Sequence, residues 1–298
     1  MMDIKMALDF LNNVLWNEEK QGYREAIGIE HYWFIDNFVA WIVMSKYDPK
    51  KAEIIERNFT NYENYPFGFD RWCVLYGDVQ NFTPSPEKLP DYTRYADLVA
   101  LQYLYCYYKN DLEKAKLMYG YLSNMKRYFE NFPGNGKTLF LEDVATRVGY
   151  QTFTEDIYDW LIAMNKPKPE GHTIYKLALF AMCSMRHNRY DVAKECLETI
   201  GKFQVGNPES ELYKNGDPIN FPDDPLIEKG GIKTEWWNPN YGPKPPWLKT
   251  LANCETSCLC ILAQTEYNEG IDVWKDVIPW FIIGAIVGGG VGFFIKRR

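Results

Sequence analysis

The sequence predicts an all-α protein in which repeated helical hairpins form a closed ring or an open solenoid, followed by one C-terminal transmembrane helix. Three observations predict it: long apolar segments alternate with short turns, one hairpin motif recurs at a fixed offset, and a long uncharged run lies near the C-terminus. They divide the 298 residues into a helical domain over 1–270, a short acidic linker over 271–277, a span over 278–295 and a basic tail over 296–298. A single globular domain usually stops near about 150 residues, but one helical ring or solenoid absorbs this length whole.

The first hairpin covers residues 30–57. EHYWFIDNFVAW reads as a helix, and YDPKKAEIIER starts the next, with Asp48 as cap and Pro49 in the first turn. The second covers 92–129 and turns at Lys109-Asn110-Asp111, and the third covers 172–203 and turns at His187-Asn188-Arg189. NDLEKAK from Asn110 aligns with NRYDVAK from Asn188, an offset of 78 residues. Twice a repeat of about 39 residues suits helical hairpins with one further pair between them. LFLEDVATRVGY and FTEDIYDWLIAM supply that pair, Thr154 capping the latter. A long helix over 247–267 precedes the linker. Two irregular stretches, 59–91 and 204–246, are rich in Pro, Gly, Asn and aromatics and are expected to cover one end of the array.

IPWFIIGAIVGGGVGFFI, residues 278–295, carries no charge and is closed by Lys296, Arg297 and Arg298. At 1.5 Å per residue it makes about 27 Å of helix, close to the hydrocarbon thickness of a bilayer. Trp280 lies where an interfacial ring belongs, and the approach contains Glu266, Glu269, Asp272 and Asp276. The positive-inside rule then puts the tail in the cytoplasm and the domain outside the cell. The sequons Asn58-Phe59-Thr60 and Asn81-Phe82-Thr83 agree with that side. Against it, MMDIKMALDFLNNVLW contains Asp3 and Asp9 and makes a poor signal peptide, so a cytoplasmic tail-anchored protein is the alternative. Gly284, Gly288 and Gly292 recur at four-residue intervals on one face of the span, where two backbones can approach. Self-association through that face is one expectation; the ordinary abundance of small residues in membrane helices is the other.

Composition narrows the function classes. The formal charge of −7, with scattered basic residues, leaves no footprint for a phosphate backbone, so nucleic acid is not expected as a partner. The seven cysteines form no CxxC pair and keep no metal-ligand spacing with His31, His172 and His187, so neither a metal nor another cofactor is expected. Buried thiols in apolar helices are favoured over a disulfide framework. Aromatics make up 16% of the chain, with 22 Tyr and 10 Trp, an excess that suits sugar stacking or simply a Tyr-rich helical core. FPGNGKT, residues 132–138, mimics the end of a phosphate loop. Asn131 stands where that loop needs its first glycine, and a helix rather than a strand precedes it, so the nucleotide reading fails.

Two places could carry chemistry. Asp36 and Asn37 interrupt an apolar helix beside Trp33 and Trp41. A desolvated carboxylate there would hold its proton and suit proton donation, or the pair would tie the helix to a neighbour through buried hydrogen bonds. Asn253 and Glu255 in ANCETSCLCILA likewise head into an apolar run. Glu255 could be the second carboxylate that glycoside hydrolysis requires, or Asn253 caps the helix and Glu255 favours its dipole. Asp97, the pair Glu142-Asp143 and His31 are weaker candidates, each near a helical start.

The repeated hairpins, HYWFIDNFVAW and LANCETSCLCILA together resemble the α/α-toroid superfamily that includes six-hairpin glycosidases and related lyases and cyclases. The resemblance extends loosely over residues 1–267 and implies inner helices directing polar and aromatic side chains to a central cleft. It implies catalytic roles for Asp36 and Glu255, and substrate contacts from Asn37, Trp33, Asn253 and the loop residues Trp236, Trp237 and Tyr241. The expected activity is binding, with hydrolysis as its extension, of carbohydrate or a similar polar polymer at a membrane surface. A non-catalytic helical scaffold for a protein partner, or an envelope component, is the competing expectation.

Overall fold

A computed structural model describes residues 1–68, 171–207, 228–237 and 251–269, together with residue 106, residues 109–111 and residues 113–114. The described chain is mostly helical. Helix α1 (Ile4–Phe10) is capped by Asp3, whose side chain accepts from the Met6 N–H at 3.1 Å, and runs into a π-helical turn over Leu11–Leu15. A small antiparallel hairpin follows, β1 (Trp16–Asn17) with β2 (Gly22–Tyr23). Helices α2 (Phe34–Tyr47) and α3 (Pro49–Thr60) form the first hairpin. Strand β3 (Gly171–Thr173) leads into α4 (Ile174–Arg186), which pairs with α5 (Tyr190–Gly201). Strand β4 (Glu235–Trp237) lies antiparallel to β3, and α6 (Cys254–Glu269) completes the set.

The turns follow their residues closely. Asp48 accepts from the Lys51 N–H at 3.1 Å, and Pro49 occupies the first helical position, where no amide donor is needed. Asn110 and Asn188 both adopt φ 58, the left-handed region that Asn tolerates best after Gly. The residue after each returns its amide to a carbonyl five residues back: Asp111 to Cys106 and Arg189 to Ser184, both at 2.8 Å. This is the bonding of a Schellman helix end, and it occurs at equivalent places of the 78-residue offset. Asp111 then caps the following turn through the Lys114 N–H at 3.2 Å.

Three boundaries differ from the expected ones. The first helix begins at Phe34 rather than Glu30, because Trp33 is extended (ψ 142) and residues 24–31 fold back on themselves, Glu25 N–H to His31 O at 2.7 Å. Residues 172 and 173 belong to a strand, drawn out of the helix by pairing with Trp236 and Glu235. The last helix starts at Cys254 rather than Trp247, since Ala252 bridges Lys233 and the Leu251 carbonyl accepts the Thr234 N–H at 3.2 Å. The expected pair between the second and third hairpins, and the apolar run 278–295, lie outside the described residues. Among the described residues no helix is long and apolar enough to cross a membrane.

Packing sorts the helices into two layers. α6 lies between α2 and α4 and touches both, while α3 packs on α2, and α5 packs on α4 and α6. The inner helices are buried nearly all round: α2 hides every residue from Phe34 to Met44. The outer α3 buries only Ala52, Ile55 and Phe59, the stripe of an amphipathic surface helix. Phe59 meets Phe38 and Trp41 at centroid distances of 4.8 and 5.5 Å, so the middle of the first expected sequon is core. Its Asn58 donates to the Gln21 carbonyl at 2.9 Å.

The inner helices are parallel. At one end the Cys254 thiol lies 3.7 Å from the Asp36 carbonyl, and near the other the Tyr47 hydroxyl lies 2.6 Å from the Thr265 hydroxyl. Both pairs are separated by 218 residues, so α2 and α6 run side by side in one register. α4 shares that direction. Its first amide, Ile174 N–H, meets Thr234 beside the start of α6, and Tyr190, just past its end, sits 6.5 Å from Tyr267 near the end of α6.

The left-handed asparagines give a direct check. Asn188→Gly should leave stability nearly unchanged, whereas Asn188→Ala should cost about 1–2 kcal/mol, the penalty for a Cβ in that region. Urea midpoints of the two variants measure the difference.

Candidate functional site

Parallel packing gathers the starts of α2, α4 and α6 at one end. Non-helical chain ties these starts together. Ala26 bridges Asn253, the Cys254 N–H donates to the Glu25 carbonyl at 2.9 Å, and Thr234 bonds both Leu251 and Ile174. Beneath this lies a buried ion pair: Lys233 Nζ meets Glu228 Oε2, and Glu228 Oε1 accepts from the Ala252 N–H at 3.1 Å. Both side chains are sealed from solvent, and their mutual contact replaces the water each has lost.

Asn37 is fully buried, and its amide is used within the fold. Its Oδ1 accepts from the Tyr23 N–H at 2.8 Å, and its Nδ2 donates to the Tyr23 and Trp33 carbonyls at 3.0 and 3.1 Å. The side chain thus completes β2 as a neighbouring strand would. Asp36, 3% exposed, occupies the first turn of α2, where the helix dipole favours a negative charge. Asn253 caps α6, its Oδ1 accepting from the Thr256 N–H at 2.8 Å, and Glu255 follows in the first turn, half-buried.

Cys254 reports how these groups sit together. Burial first, then the neighbouring Cys258 thiol, then the negative fields of Asp36 and Glu255 hold its thiol well above the usual range. Its sulfur lies 3.7 Å from the Asp36 carbonyl, and Glu255 follows it in the chain. The other thiols follow the expected pattern. Cys106, Cys196, Cys254, Cys258 and Cys260 are buried outside any disulfide, and burial pushes Cys196 up to about 12.

The rim of this end contains residues that patterning did not single out. Glu25 Oε2 accepts from the Trp33 indole N–H at 2.7 Å and lies 3.9 Å from His31 Nδ1, while the His31 and Trp33 rings meet edge-on at 5.3 Å. Trp33 keeps 36% of its surface exposed. Beside it the Tyr32 hydroxyl donates to Glu30 at 2.7 Å and accepts from Asn17 at 2.9 Å, with Arg24 paired to Glu30 at 2.7 Å. The Tyr32 hydrogen bond, more than the Arg24 charge, holds the exposed Glu30 carboxyl below its usual range. A signal for Glu25 and Glu30 did exist. The two acids flank a turn at Gly28, whose φ of +72 suits glycine, and such a turn brings its flanks together.

Of the remaining expected site residues, Trp236 and Trp237 lie on β4, with backbones paired to His172 and Gly171. Tyr241, Gly284, Gly288 and Gly292 lie outside the described residues, as do Asp97, Glu142 and Asp143. No cluster among the described residues has the makings of a metal site. No protein-family model matches the chain, and no curated protein or solved structure does either.

Two expectations follow. Asn37→Ala strands the Tyr23 N–H and carbonyl in the core, and each buried orphan costs about 1–3 kcal/mol, so the urea midpoint should fall sharply. The buried thiols should resist iodoacetamide at pH 8 in the native protein and react once urea unfolds it, read by peptide mass. The folded Cys196 holds its proton to about 12, whereas the unfolded chain releases it near a thiol's ordinary 9.0. Its contribution is therefore intact below about 9 and is lost as pH climbs toward 12, which the pH dependence of unfolding checks.

Proposed function

We propose that this chain is a membrane-anchored helical-hairpin domain of the α/α-toroid kind that binds carbohydrate, or a polar polymer of similar chemistry, where α2, α4 and α6 begin. The single observation behind it is the convergence of those three starts, with the exposed Trp33 immediately before α2. The ring is exposed, yet its indole N–H is already bonded to Glu25, so little rotamer freedom is lost when a ligand stacks on it. A pyranose has apolar C–H faces for the indole and hydroxyls at its edges. Glu25, Glu30 and the half-buried Glu255 offer acceptors of matching chemistry. In this proposal residues 278–295 tether the domain to the bilayer, with Gly284, Gly288 and Gly292 as the face through which two copies pair. Hydrolysis by Asp36 and Glu255 is the stronger form of the same reading.

A second reading is favoured by one observation of its own. Asp36 is almost wholly enclosed and Asn37 spends its amide on backbone groups, which suits a non-catalytic scaffold that presents this end to a protein partner.

A glycan array probed with the full chain in detergent tests the proposal. Binding should appear, and Trp33→Ala should weaken it about tenfold, equivalent to about 1.4 kcal/mol. Absence of any glycan binding rejects carbohydrate as the ligand. Where a bound glycan is also cleaved, Asp36→Asn with Glu255→Gln should abolish turnover without loss of binding. Turnover retained in that double variant removes both carboxylates from the chemistry.

A further inference from the structure

We infer that the opposite end of the inner helices, around Tyr47, Tyr190 and Tyr267, docks on the headgroup layer of the bilayer that residues 278–295 enter, so that the Trp33 end faces away from the membrane. The inference rests on the membrane-anchor proposal above and adds an orientation to it.

The chain leaves the described structure at Glu269, the last residue of α6. Residues 270–277 can span at most roughly 28 Å when fully stretched. α6 is 16 residues long, or about 24 Å. Laying the Trp33 end on the bilayer would require the linker to run back along almost all of α6 at full stretch. Docking the Glu269 end requires no extension at all.

The surface at that end fits the location. Among the described residues the exposed large hydrophobic side chains are Trp33, Tyr47 and Tyr190, and the two tyrosines both lie where α6 ends. The Tyr47 hydroxyl is 2.6 Å from Thr265, and the Tyr190 ring is 6.5 Å from that of Tyr267. Tyrosine suits a membrane interface because its ring sits among apolar groups while its hydroxyl stays hydrated. Two ion pairs lie there, Lys46 with Glu269 and Arg189 3.5 Å from Asp191. A zwitterionic surface therefore suffices, and phosphatidylcholine is the lipid to use.

The full chain, reconstituted into phosphatidylcholine vesicles, carries p-benzoylphenylalanine at position 47, 190 or 33 in turn, and carbonate extraction is read in parallel. The expected result is a carbonate-resistant chain with lipid adducts at 47 and 190 and none above background at 33. A second measurement needs no substitution. Hydroxyl-radical oxidation of the unmodified chain in the same vesicles should mark Trp33 and spare Tyr47 and Tyr190. A carbonate-resistant chain that crosslinks to lipid from 33, or from none of the three, or whose two tyrosines oxidise as readily as Trp33, overturns the docking and leaves the anchor standing. A chain released by carbonate overturns the anchor, and the docking with it.

Discussion

Asn37 sits in the middle of a fully enclosed helix because its amide supplies what a two-residue strand lacks, a partner for the backbone of Tyr23. With β1 on one edge only, β2 would otherwise leave an N–H and a carbonyl of Tyr23 unsatisfied in the core, a cost comparable to a large share of a domain's net stability. One side chain removes that cost and at the same time fixes where residues 24–33 cross the start of α2. Because the Glu25 carbonyl then receives the first amide of α6, the position of α6 against α2 follows from the same contact.

The in-register packing of α2 and α6 has consequences at both ends. At the start, it brings Asp36 to Cys254 and its chain neighbours Asn253 and Glu255, and leaves Trp33 at the rim. At the finish, it brings Tyr47 beside Thr265 and Lys46 beside Glu269, the point from which the chain continues toward its apolar run. Of the outer helices, α5 places Tyr190 at the finish. α3 and α5 shield the inner row with narrow apolar stripes, and their exposed faces carry the ordinary charges of a solvated surface.

Polar groups at the gathered end divide into those used by the fold and those left at its edge. Asn37, Asn253, Glu228 and Lys233 are engaged in holding backbone or one another. Glu25, Glu30, His31 and Trp33 bond among themselves and with Arg24 and Tyr32 on the outside of the same structure. That division explains why residues which look alike in the sequence, an acid or an amide in an apolar run, have different surroundings. Burial alone separates them, and it depends on which neighbour arrives.

Local chemistry was legible without coordinates. Asp48 with Pro49, the turns at Asn110 and Asn188, and the cap at Asn253 are decided by side chains acting within a few residues of themselves, so spacing reveals them. The hairpins 30–57 and 172–203 and the mostly helical class followed for the same reason, since the apolar period of a helix is a short-range property. Contacts between residues 218 positions apart decided the rest: the parallel register of α2 and α6, which sets Cys254 against the Asp36 carbonyl and Tyr47 against Thr265. Long-range pairing also drew residues 172–173 and 251–252 out of the helices their local pattern favoured, because an extended backbone there finds hydrogen-bond partners in residues 233–237. Sequence determined roughly where these helices lie and how the turns between them are made; only the tertiary structure decided where α2, α4 and α6 begin and which of their polar residues meet, because nothing local fixes the order in which distant helices pack.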